Sequence, residues 1–172
     1  MPSAILFPLL ASACLAVSAG AFAQSDGPQG RFDDDLIARL EGDWNLTRQI
    51  RGKELQNTVQ ARWVLRHQFL QVHMKDVNDP PAYEALVLVG YDHGAKAYVA
   101  HWTDTWGGRY SARGVGTRRD NAIEFRFDYP DGPFFNTFSW QPEARRWVLR
   151  GENQDAAGKR TLFMLDTLVP SR

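Results

Sequence analysis

Cysteine is nearly missing: the single Cys14 of this 172-residue chain falls inside an uncharged, apolar leading stretch. A body without thiols has no disulfide framework, no thiolate metal site and no cysteine nucleophile. An excess of charge of either sign is missing too, since 20 Lys plus Arg face 20 Asp plus Glu. Capture of nucleic acid needs a basic excess or a strongly basic patch, so no nucleic acid is expected as a partner. Histidine is sparse, and His67, His73, His93 and His101 show neither an HxH nor an HExxH spacing. No metal site is expected from them, and no cofactor. The Gly-x-Ser-x-Gly signature of serine hydrolases is absent as well.

The leading stretch has its own reading. Residues 1–23 carry no charged side chain, and the small, apolar run over 4–19 ends in Ala21-Phe22-Ala23. An Ala-x-Ala of this kind before Gln24 predicts a signal peptide over 1–23 with cleavage after Ala23, hence a periplasmic or secreted protein with no integral membrane span after cleavage. Cys14 would leave with it, because a lipidation site would call for Leu where Ala11 stands. Residues 24–31, QSDGPQGR, read as a flexible linker. The remaining 32–172 are expected to form one domain.

What is present in quantity is strand pattern. Over 83–91, Tyr83, Ala85, Val87, Val89 and Tyr91 alternate with Glu84, Leu86, Leu88 and Gly90, which predicts a strand covered on both faces. The next run puts Tyr98, Ala100, Trp102, Asp104 and Trp106 on one face, and Asp92-His93-Gly94-Ala95 between the runs makes a hairpin. Further strands are predicted at 44–50, 55–66, 69–76, 109–118, 122–129, 134–141, 146–153 and 160–168, separated by Gly, Pro, Asn and Asp turns. Ahead of them, residues 33–41 predict a two-turn helix with Asp33 as its N-cap and Leu36, Ile37 and Leu40 as an apolar stripe. About ten strands with short links predict an all-β fold: a single antiparallel up-and-down barrel, plugged at one end by the short N-terminal helix.

Alternation assigns an inner face rich in rings. Ile123, Phe125, Phe127 and Tyr129 should point inward, as should Phe134, Asn136, Phe138 and Trp140, and Leu55, Val59, Ala61, Trp63 and Leu65. Arg113-Gly114-Val115-Gly116-Thr117-Arg118-Arg119 superficially suggests a phosphate loop. It lacks the Gly-Lys-Ser/Thr ending and a following helix, and reads instead as a strand with small residues at a barrel bend.

Gly42-x-Trp44, after the short helix and opening the first strand, resembles the Gly-x-Trp signature of lipocalins. Arg62-Trp63-Val64-Leu65 with Phe69, Gly90-Tyr91-Asp92 and Trp102-x-Asp104 extend the likeness, which is to a bacterial family of lipocalin-like, calycin-type barrels of unknown function. The resemblance implies the barrel fold, Gly42 and Trp44 at the barrel floor, and an apolar cavity. The haem-ligating histidine found late in nitrobindin-like barrels has no counterpart here, the last histidine being His101. The arginine that stacks on the lipocalin floor tryptophan has only Arg150 and Arg160 as candidates.

Trp102, Asp104 and Trp106 form the densest polar and aromatic group, with Asp104 between two indoles. They are the expected ligand contacts, with Tyr83, Phe127 and Phe138 as apolar lining. The expected partner is a small apolar or amphipathic molecule held in an aromatic cavity without turnover. Two other classes stay open: a filled barrel acting as an envelope interaction or homodimer module, with Leu86 and Leu88 on its outer face, and a hydrolase or isomerase using Asp104 as general base.

Overall fold

The expected strand rhythm gives ten strands: β1 (Gly42–Ile50), β2 (Lys53–Val64), β3 (Phe69–Asp76), β4 (Glu84–Asp92), β5 (Ala97–Asp104), β6 (Ala112–Arg119), β7 (Ala122–Tyr129), β8 (Gly132–Gln141), β9 (Arg146–Gln154) and β10 (Arg160–Pro170). They are seen in a computed structural model that describes residues 30–171. The expected signal peptide with its cleavage point, Cys14 and the linker through residue 29 lie outside the described residues. Each strand pairs antiparallel with its neighbours in sequence, and β1 pairs with β10, so the sheet closes into an up-and-down barrel. The closing ladder runs in unbroken register from Trp44 opposite Pro170 to Ile50 opposite Met164. Closure leaves no strand at the open edge of a sheet.

The expected two-turn helix at 33–41 does not form. A single 3₁₀ turn, Ile37–Leu40, stands in its place with Leu36 at its N-cap, and Asp34 rather than Asp33 bonds its start, Oδ1 accepting from the Leu36 and Ile37 N–H groups at 3.0 and 2.8 Å. The chain has only Glu41 between this turn and β1, and a helix this short gains too little to nucleate by itself. What holds the segment is burial: Phe32, Leu36, Ile37 and Leu40 are all buried in the barrel end. Tyr98 Oη donates to Asp34, and Arg118 bridges Asp34 and Asp35, fastening the plug to β5 and β6.

Three further expectations fail at strand ends and faces. Leu65 is not an inner residue but 63% exposed, because the chain leaves β2 through left-handed backbone at Leu65, Arg66 and His67. On β4 the inner row Ala85, Val87 and Val89 is buried, whereas Leu86 is exposed on the outside, as a barrel wall has solvent beyond it. β6 begins at Ala112, since Gly107 at φ 81° and a 3₁₀ turn carry the chain through 108–110.

Near the plug the interior is filled. Phe125 and Phe138 meet edge to face at 5.4 Å, and Trp147 and Leu149 close the layer beneath them. Two inner positions of β6 are glycines because the rings of β7 lie against its backbone: a Cβ on Gly114 would sit 2.6 Å from Phe127, and one on Gly116 2.6 Å from Phe125. The small residues of 113–119 are thus seats for aromatic rings. Gly116→Ala should therefore destabilise the protein by about 1–3 kcal/mol, because the fully buried Phe125 ring has nowhere to move. Urea unfolding of the variant beside the parent protein measures it; an unchanged midpoint would mean the layer is slack.

Candidate ligand-binding site

The end away from the plug is hollow. There the barrel encloses a cavity of about 480 Å³. At the plugged end a hollow of about 600 Å³ over Trp44, Trp140 and Pro142 is larger, but it is an open surface depression.

Five of the six side chains expected to contact a ligand come together around the cavity: Trp102, Asp104, Trp106, Tyr83 and Phe127. Phe138 does not; it lies deeper, packed on Phe125 in the filled layer. The floor pair is at the plugged end, where Gly42 takes a φ of 137° and the Trp44 indole N–H donates to the Leu40 carbonyl at 2.8 Å. Neither Arg150 nor Arg160 stacks on Trp44: Arg150 binds Glu152, and Arg160 binds Glu124 and lies 3.5 Å over the Phe135 ring.

Asp104 ends β5 and organises the rim. Its Oδ1 accepts the Trp106 backbone N–H at 2.9 Å, turning the chain inward at once, and its Oδ2 faces Tyr83 Oη and Trp102 Nε1, both donating at 3.3 Å. The turn lets the Trp106 indole reach across the opening to Phe163 on β10, with ring centroids 6.3 Å apart. From Trp106 the contacts run on through Tyr110, Tyr129 and Phe134 back to Phe163, each step 5.8–6.2 Å, as a closed aromatic ring around the mouth. Phe163 reaches it through a bulge: the register of β10 on β9 slips between Leu162 and Met164, and two consecutive side chains, Phe163 and Met164, both line the cavity.

A buried ion pair lies on the cavity wall. Arg48 and Asp166 are direct partners on the β1–β10 ladder and are joined by two bonds, Nε to Oδ1 at 2.9 Å and Nη2 to Oδ2 at 2.6 Å. The guanidinium also stacks 4.7 Å from the centre of the Tyr83 ring. Burial pushes the Asp166 carboxyl above its ordinary value, and the bonds from Arg48 pull it back. On Arg48 burial works against the charge, but the bonds to Asp166 prevail and raise it. Tyr83 is raised by burial, with Arg48 opposing and Asp104 reinforcing. Tyr129 is pushed up to about 12, first by burial and then by the charge of Asp104.

Alternation along the strands carries the signal for this pair, although the sequence expectations do not include it. Arg48 alternates inward with Leu46 and Ile50, and Asp166 with Met164 and Leu168; in a closed barrel the first and last strands must meet. Phe163 could not have been found, because alternation puts it outside. Among the described residues no histidine lines the cavity: His67 stacks on Trp63, His73 binds Glu84, His93 lies against Tyr91 and His101 against Phe69. Among the described residues no group of three or more His, Cys, Asp or Glu side chains is placed to hold a metal ion.

Arg48→Met should leave Asp166 buried and unpaired, at a cost of about 3–5 kcal/mol near neutral pH. Because Asp166 is held above its ordinary 3.8, the folded state then binds a proton that the unfolded chain has released, and stability falls as pH rises through that raised value. The deficit should accordingly shrink towards pH 4, which urea unfolding of both proteins from pH 4 to 7 would detect; a pH-independent deficit would place the cost in packing alone. A scan of protein-family models finds no match to the chain, and a search of curated proteins finds no significant relative.

Proposed function

We propose that the protein is an exported, lipocalin-like barrel that holds one small apolar or amphipathic molecule in the cavity of its open end. The observation that carries the reading is the enclosed space of about 480 Å³ with largely aromatic walls and charged and amide groups set among them, on a barrel whose other end is plugged. Small-molecule sites have this size and lining, and a preformed cavity spares the ligand the cost of opening one. Export is supported by the uncharged leading run and its Ala-x-Ala. The lipocalin-like reading rests on Gly42-x-Trp44 and on the closed up-and-down topology.

The other classes have less behind them. The exposed apolar side chains on strands, Leu55, Leu86, Val115, Leu162 and Val169, fall on β2, β4, β6 and β10, no two of which are neighbours, so they make no continuous face for a partner. Asp104 accepts bonds from a phenol, an indole and a backbone amide, and among the described residues no histidine lines the cavity beside it.

The test is native mass spectrometry of the protein purified from its own host, followed by titration of the emptied protein with the neutral fluorophore N-phenyl-1-naphthylamine. A released stoichiometric molecule, or saturable uptake of the fluorophore, is expected. Trp106→Ala removes a half-exposed ring from the mouth and should weaken uptake about tenfold, some 1.4 kcal/mol, with the unfolding midpoint kept. Protein that is both isolated empty and unable to take the fluorophore would sink the reading.

A further inference from the structure

The polar groups of the cavity are not evenly matched, and their imbalance says what kind of molecule fits. Arg48 is cancelled by Asp166, and Asp131 at the rim is paired with Arg109 at 3.0 Å. Asp104 is bonded by neutral donors alone, and Asp76, buried on β3, accepts only from the backbone and side-chain amide groups of Asn78 at 3.0 and 2.7 Å. Against these two uncompensated carboxylates the lining offers Arg51, exposed in the β1–β2 turn and stacked 5.3 Å from the Phe163 ring. A negative charge walled by indoles and phenols attracts a cation twice, through the carboxylate and through the electron-rich ring faces.

A second observation is independent of charge. Asn136 lines the inner part of the cavity, only 1% exposed, and its amide oxygen has no hydrogen-bond partner. Its neighbours along the wall are Phe134, Phe138 and, across the ladders, Phe125 and Gly151. A buried amide left unpaired in apolar surroundings is costly, and folded proteins rarely keep one unless something else completes it.

Resting on the binding reading above, we infer that the occupant is a cationic amphiphile. Its ammonium group lies at Asp104 between Tyr83, Trp102 and Trp106, its apolar body lies along the aromatic belt, and a hydrogen-bonding group at its inner end completes Asn136. Free fatty acids and other anionic amphiphiles are disfavoured by the same carboxylates, because the one buried cation already has its partner.

The test is calorimetric titration of the full protein with four probes of matched length: decylammonium, decanol, decanoate and 10-aminodecan-1-ol. Decylammonium should bind at least tenfold more tightly than decanol, with decanoate the weakest. Asp104→Asn should bring decylammonium to within about threefold of decanol measured on the same variant, and Asn136→Leu should loosen 10-aminodecan-1-ol about tenfold relative to decylammonium. The comparison of probes on the parent protein needs no variant to fold. Equal binding of all probes, or a preference for decanoate, would overturn the cationic inference and leave the cavity reading intact. Failure of all four to bind would overturn both.

Discussion

The β1–β10 ladder is the constraint on which everything else in this barrel rests. Nine of the ten strand pairings join neighbours in sequence and could form locally; this one brings together strands separated by almost the whole domain. It is also the ladder that carries the buried ion pair, Arg48 directly opposite Asp166. A slip of two residues in either direction would put Arg48 opposite Met164 or Leu168 and strand two charges in an apolar wall. Such a pair adds little net stability, because desolvation offsets most of the attraction, but breaking it is expensive. Its effect is therefore on register: only one closed alignment leaves no charge unpaired.

Register at the seam sets the two ends apart. Towards the plug the inner rows are complementary in size, with glycines on β6 facing phenylalanines on β7, and the four apolar side chains of the leading segment seal what is left. Towards the mouth the rings stand against one another around a space instead of filling it. Ten strands enclose more room than side chains alone can fill along the whole barrel length, so a chain that packs one end solidly leaves volume at the other. The rim is then held by contacts that cross the opening, above all Trp106 on Phe163, and these are possible only because Asp104 turns the chain inward.

The order of the ten strands, their approximate limits and most of their inner rows were readable from alternation and turn residues, since those signals are local. The rows of β7 and β8 came through because each inward aromatic is flanked by polar neighbours such as Arg126 or Thr137. Features set by tertiary context were not readable. The segment 33–41 has the cap chemistry and stripe of a helix, and its fate was decided by how little chain separates the plug from β1. Leu65 continues an apolar alternation but falls where the backbone reverses, and the bulge at Phe163 breaks the very periodicity that the reading relies on. At the site, Trp102, Asp104 and Trp106 stood out by their density in sequence, whereas Tyr110, Tyr129, Phe134 and Phe163 belong to it only through closure. Phe138 was assigned to the same lining because alternation gives the face of a residue and not its depth.

Depth also separates the charges into two kinds. Arg48 and Asp166 lie in the wall, bonded to each other through both oxygens of the carboxylate, and the guanidinium turns its remaining face to Tyr83. A ligand anion would have to compete with a carboxylate already in bidentate contact and tied to the barrel seam. Asp104 lies at the rim with only neutral donors, the longer of its bonds at 3.3 Å, and displacing those donors disturbs no ladder. The buried cation of this cavity is thus committed to holding the fold together, and the Asp104 carboxylate is left to meet whatever enters.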